Sequence, residues 1–138
     1  MSTDPRGQPA TVPFIPFPLQ RSMTEFVLTC WRAQTPGLTQ KSRDVGASVV
    51  AMALAATLCT FHPGVTIGVG SRKEMLLDNQ GHPSSLFFEA PRFLEYLPPE
   101  FRPAYTSAYM RLVLSNRSAI IGEAGTQVGR GARTSLFF

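Results

Sequence analysis

The sequence predicts an α/β fold, a parallel sheet flanked by helices, on three observations. The run from Val49 to Phe61 holds neither Gly nor Pro and is apolar on nearly every side, as a helix buried beside a sheet must be. Pro63-Gly64 then stops it, and Val65-Thr66-Ile67-Gly68-Val69 alternates between bounding glycines, the pattern of a buried strand. Before the helix, Leu38 to Gln40 reads as a short strand, so strand, loop, helix and strand follow one another as a βαβ unit.

Composition agrees with one such domain. The chain has 138 residues and is 43% hydrophobic, enough for a single core and too few residues for two. Charged residues make up 16%, against roughly 25% in average soluble domains, which argues against a disordered or coiled-coil chain. Thirteen Lys and Arg against nine Asp and Glu give a net charge of +4, and all but two of the thirteen are Arg, the side chain suited to bidentate phosphate contacts. A polyanionic partner is permitted by that balance, not required by it. Cys30 and Cys59 stand far apart and read as buried thiols of a reducing compartment, and no standard spacing makes a zinc site of them with His62 and His82. The stretch Val45 to Phe61 is interrupted by Ser48, Thr57 and Thr60 and falls short of the roughly 17 to 25 apolar residues that span a bilayer, so no membrane partner is expected. Asp4 and the prolines around it do not make a secretory signal, which points to the cytoplasm.

The other elements follow in order. Residues 1–21 form a lead-in in which Pro13, Pro16 and Pro18 interleave with Phe14, Ile15 and Phe17, comfortable only when extended. From Ser22 to Trp31, Met23, Phe26, Val27 and Cys30 recur at helical spacing, with Ser22 and Glu25 as a capping box and Pro36-Gly37 as the stop. Arg72 to Asp78 is a short helix, Gly81-His82-Pro83 a break, and Ser84 to Leu97 a second amphipathic helix weakened by Pro91. Phe87, Phe88, Phe93 and Tyr96 sit at helical spacing there and read as core. Tyr109 to Leu114 and Ser118 to Ile121 flank the turn Ser115-Asn116-Arg117 as a hairpin. A glycine-rich loop, Gly122 to Gly131, leads into a last strand, Thr134 to Phe138.

One segment carries chemistry. A phosphate-cradling loop has the form G-x-x-x-x-G-K-[ST]: the glycines free backbone N–H groups to face phosphates, the lysine neutralises them and the hydroxyl holds Mg2+. Setting Gly46 and Ser48 on the last glycine and the hydroxyl puts Ala47 where the lysine belongs and Lys41 where the first glycine belongs. The lysine is displaced to the mouth of the loop, where its long stem still reaches the same phosphates, and the following helix aims its N-terminus at them. The competing reading is a polar turn between strand and helix.

Lys41-Ser42-Arg43-Asp44-Val45-Gly46-Ala47-Ser48 closely resembles the variant Walker A motif of large terminase subunits, the ATP-driven DNA-packaging motors of tailed bacteriophages, some of which carry the displaced lysine. The lead-in Val12 to Gln20 resembles that family's segment ending in an adenine-contacting glutamine, and Gly68 to Glu74 its second strand and following turn. Gly122-Glu123-Ala124-Gly125, Gly129-Arg130-Gly131 and Arg133-Thr134-Ser135 resemble the stretch that precedes Walker B. The resemblance covers most of the chain from about Val12 onward.

It implies a P-loop NTPase fold over residues 22–138, incomplete at the C-terminus: in the family the last strand leads to an Asp-Glu pair that binds Mg2+ and activates water, and Phe138 precedes any such pair. The chain is therefore expected to be an N-terminal terminase fragment that binds ATP and Mg2+ without turning ATP over. Gln20 would meet adenine, Lys41 and residues 42–48 the phosphates, and Ser48 the metal. Arg43 reads either as a γ-phosphate contact or as the partner of an acid such as Glu123. Arg130 and Arg133 read either as an arginine finger toward a neighbouring subunit or as a basic loop touching DNA. Glu123 precedes the place of the catalytic pair and is assigned no role as base. In the full-length context the implied partners are double-stranded DNA, the small terminase subunit, the portal and procapsid, and further copies in a ring, all in the host cell cytoplasm. The alternatives are a non-enzymatic basic remnant that binds duplex phosphates without nucleotide, and a nucleotide-binding regulator competing with an intact terminase.

Overall fold

A computed structural model describes residues 2–3, 11–43, 45–79, 82 and 85–138. The chain divides into two compact units, Met1–Ala51 and Met52–Phe138.

In the first unit, β1 (Ser2–Thr3) pairs antiparallel with β2 (Thr11–Val12), and Pro13 to Phe17 lead without regular structure into α1 (Pro18–Ala33). This helix starts four residues before the expected Ser22. Phe17 is extended, Pro18 takes the first helical position where no N–H is required, and Gln20 Oε1 accepts the Phe17 N–H at 2.9 Å. The Ser22–Glu25 capping box is therefore not formed: Ser22 lies inside the helix and its hydroxyl donates to Pro18 O. Gln34 closes α1 in the left-handed region at φ 54°, with Thr35 N–H returning to Cys30 O. The strand expected at Leu38 to Gln40 is absent. Those residues are exposed, Leu38 at 92%, and no strand among the described residues pairs with them, so the ladder that defines a strand is missing. The loop instead returns over α1, with Gly37 so close to Cys30 Sγ and the Phe26 ring that a Cβ would stand 2.8 Å from the sulfur.

The division between units falls within α2 (Ala47–Phe61), two residues longer at its start than expected. In the second unit its last turns carry the buried Leu58 and Cys59. Asn116 Nδ2 donates to Cys59 O (2.8 Å) and Thr60 O (3.3 Å), while Ser118 Oγ donates to His62 O (2.8 Å). A turn from the far side of the sequence thus satisfies carbonyls that a helix end leaves open.

Five strands form one sheet in the order β4-β5-β6-β3-β7: β3 (Thr66–Ser71), β4 (Tyr105–Ala108), β5 (Arg111–Leu114), β6 (Ala119–Ala124) and β7 (Leu136–Phe137). The sheet is mixed, not parallel. β3 runs parallel to β6 and β7, but β4, β5 and β6 are antiparallel because tight turns join them. The hairpin expected about Asn116 is present; β4 had no counterpart in the sequence reading. Without a strand at 38–40 there is no βαβ unit built on α2. Ile67 pairs with Ile120 on one side and Leu136 on the other, and Leu112 and Ile120 are fully buried. Gly68 and Gly70 let Phe137 lie against the β3 backbone.

Helices flank this sheet: α3 (Glu74–Leu77) and α4 (Leu86–Glu95), which continues through Pro91 and buries Phe87, Ala90 and Leu94. Phe88 and Phe93 are half-buried and Tyr96 is exposed, so the aromatic set is core only in part. The Gly81-His82-Pro83 break lies largely outside the described residues. Among the described residues no helix is long and apolar enough to cross a membrane.

Candidate functional site

In the first unit, α1 and the loop after it line an open cavity of about 440 Å³. Gln20, Met23 and Phe26 line it from the helix; Leu38, Lys41 and Val45 line it from the loop. Gln20 is buried at its edge and uses both ends of its amide: Oε1 accepts the Phe17 N–H, and Nε2 donates to Val45 O at 3.1 Å. The same side chain therefore starts the helix and holds the loop against it.

The next residue needs to be glycine. Gly46 has φ 71°, a conformation L side chains rarely adopt, and a Cβ there would stand 2.8 Å from Gln20 Nε2. Val50 N–H donates to Gly46 O, which makes Gly46 the entry of α2. Ala47 and Ser48 follow in the first helical turn, whose N–H groups have no intrahelical acceptors, and Ser48 is exposed there.

Of the residues expected to bind nucleotide, Gln20, Lys41, Ser42 and Val45 line one cavity. Lys41, Ser42 and Arg43 are exposed, and Arg43, Gly46, Ala47 and Ser48 are not among the cavity's lining. Asp44 lies outside the described residues. The apolar wall from Met23, Phe26 and Leu38 was not recognised as part of a site, because on a helix Met23 and Phe26 carry the same signal as core residues. Among the described residues no three His, Cys, Asp or Glu side chains gather as a metal site. A Mg2+ held by one hydroxyl, with phosphates and waters completing its shell, does not need such a group.

Arg130 and Arg133 belong to the second unit and are exposed. Their loop is anchored at Glu123, whose Oε2 accepts the Gly129 N–H at 2.6 Å, and Val128 sits on the backbone of Gly70. Comparison with protein-family models, with curated proteins and with solved structures gives no match.

Proposed function

We propose that the chain is the ATP-binding portion of a large terminase subunit, a P-loop ATPase whose full-length form moves double-stranded DNA into a procapsid. The observation that carries this reading is the shared cavity of Gln20 and Lys41, one taken from the lead-in and the other from the Walker-like loop, both lining about 440 Å³ of mostly apolar space. That volume lies in the range of about 300 to 1,000 Å³ typical of small-molecule sites. The flat face of Phe26 and the thioether of Met23 suit a purine, and the one N–H and one lone pair that Gln20 keeps beyond its bonds to Val45 and Phe17 suit its hydrogen-bonding rim. In this reading Lys41 supplies charge at the mouth, the backbone of Ser42, Arg43 and the start of α2 supply N–H donors, and Ser48 offers a hydroxyl to Mg2+. Bound with the nucleotide, Mg2+ neutralises phosphate charge.

None of the residues described here is assigned the activation of water, so the function proposed for them is binding. Small terminase subunit, portal, duplex DNA and a ring of copies belong to the full-length proposal. The exposure of Arg130 and Arg133 favours a second reading, a basic module on duplex phosphates without nucleotide.

Titration with a fluorescent ATP analogue and Mg2+ separates them. Lys41→Ala weakens binding about tenfold, the loss of one charge-assisted phosphate contact, whereas Ala47→Lys changes little by itself. Equal binding by Lys41→Ala and the parent chain refutes the nucleotide site.

A further inference from the structure

The carboxylate of Glu123 sits next to the end of β6, and the glycine-rich loop that follows closes around it. Oε2 accepts the Gly129 N–H at 2.6 Å. Oε1 is buried without a hydrogen-bond partner, and a Cβ added to Gly131 would stand 2.9 Å from it. Gly125 and Gly129 have φ values of 87° and 80°, so the loop takes a path open to glycine. Arg130 lies between Gly129, whose N–H bonds the carboxylate, and Gly131, which passes close to it, and Arg130 is exposed. No ion pair between Glu123 and either Arg130 or Arg133 is present among the described residues.

A carboxylate beside an arginine ordinarily neutralises it. Here one carboxylate oxygen is spent on the Gly129 N–H just before Arg130 and the other lies against Gly131 just after it without bonding it, which holds the chain at that point and leaves the guanidinium outside. Burying an oxygen without a donor is unfavourable, so the placement of Glu123 calls for a reason beyond stability. Arg133 has no comparable anchor: it leads directly toward β7 and is not bracketed by contacts to Glu123.

We propose that Glu123 is a positioning residue that presents Arg130 to a phosphate group. This rests on the reading of the arginine loop as phosphate-contacting, and it selects Arg130 over Arg133. The recognised chemistry is a phosphate oxygen, carried either by a duplex backbone or by a nucleotide.

Charge and position have opposite signs here. If Glu123 acts only as a nearby negative charge, Glu123→Ala strengthens binding of a polyanion. If it positions Arg130, Glu123→Ala weakens binding about three- to tenfold, the loss of one charge-assisted contact, although the chain has become more positive. Glu123→Gln keeps an acceptor for Gly129 N–H and loses the charge, so it binds at least as tightly as the parent.

The experiment titrates a short duplex DNA and, separately, ATP, in the full chain carrying Lys41→Ala, which weakens the nucleotide site proposed above and serves as the parent for the variants below. Arg130→Ala reproduces the loss and, with duplex, lowers the salt slope by about one. Combining it with Glu123→Ala adds nothing further, while Arg133→Ala has a smaller effect. Weakening with duplex alone identifies a backbone phosphate, and weakening with ATP alone a nucleotide phosphate. The proposal is overturned if Glu123→Ala binds as tightly as the parent or more tightly, if Glu123→Gln loses as much as Glu123→Ala, or if the parent binds neither probe. Failure of the ATP reading appears instead as indifference to Lys41→Ala, in the other unit.

Discussion

The side-chain amide of Gln20 donates to the carbonyl of Val45 across 3.1 Å, joining the first turn of α1 to the residue before Gly46. One glutamine thereby sets the height of the loop above the helix, and the cavity beneath depends on it. Gly46→Ala forces a Cβ into that amide and strains a backbone at φ 71°. The substitution is expected to destabilise the first unit by about 1 to 3 kcal/mol. Urea unfolding followed by the fluorescence of Trp31, the single tryptophan, reads this unit. Gly64→Ala, in the second unit at φ 76° with nothing within 4 Å, isolates the backbone part of such a cost and should be milder in urea unfolding followed by circular dichroism.

Asn116 is expected to matter more than its place in a hairpin turn suggests. It donates to two carbonyls at the end of α2, and its Oδ1 accepts the Ser118 N–H at 3.1 Å. Asn116→Ala leaves these groups without partners and should cost about 1 to 3 kcal/mol. Asn116→Asp should be no better, because a carboxylate cannot donate and is repelled by the negative end of the helix. Thermal unfolding of both variants checks the order.

Burial pushes the Cys59 thiol up to about 12 from an ordinary value of 9.0, and Sγ lies 3.7 Å from Ala119 O. At pH 8 a thiol reagent should modify the half-buried Cys30 in the folded chain and reach Cys59 only on unfolding. Because the folded value lies above the unfolded one, the contribution to stability is complete below about pH 9 and is lost as pH rises toward 12. Cys59→Ala should flatten that alkaline loss in a series of urea melts.

The legible parts of the fold were those fixed by local pattern. Val49 to Phe61 could be nothing but a buried helix, and Asn116 between two apolar runs could be little other than a hairpin turn. Leu38 to Gln40 misled because three extended residues resemble a strand until a partner is required, and none of the described strands accepts them. β4 was missed for the converse reason: Thr106, Ser107 and Ala108 are exposed and carry no alternation, and only pairing with β5 makes them a strand. Within the site, Gln20 and Lys41 were visible as residue types, whereas the bond from Gln20 to Val45 was not. No spacing rule links the side chain that opens one helix to the carbonyl before the next.

The position of β3 has a consequence for the order of events during synthesis. It is the first strand of the five-stranded sheet to leave the ribosome and the one with parallel neighbours on both edges, Ala119–Ala124 and Leu136–Phe137. Until those distant segments emerge, Ile67 and Val69 have no ladder to join and both edges of the strand stand open. The β4-β5-β6 meander can zip locally within moments of its own emergence, but β3 must wait for it. The nascent chain therefore passes through an interval with an unpaired apolar strand, during which a holdase that masks extended hydrophobic segments would raise the yield of native protein.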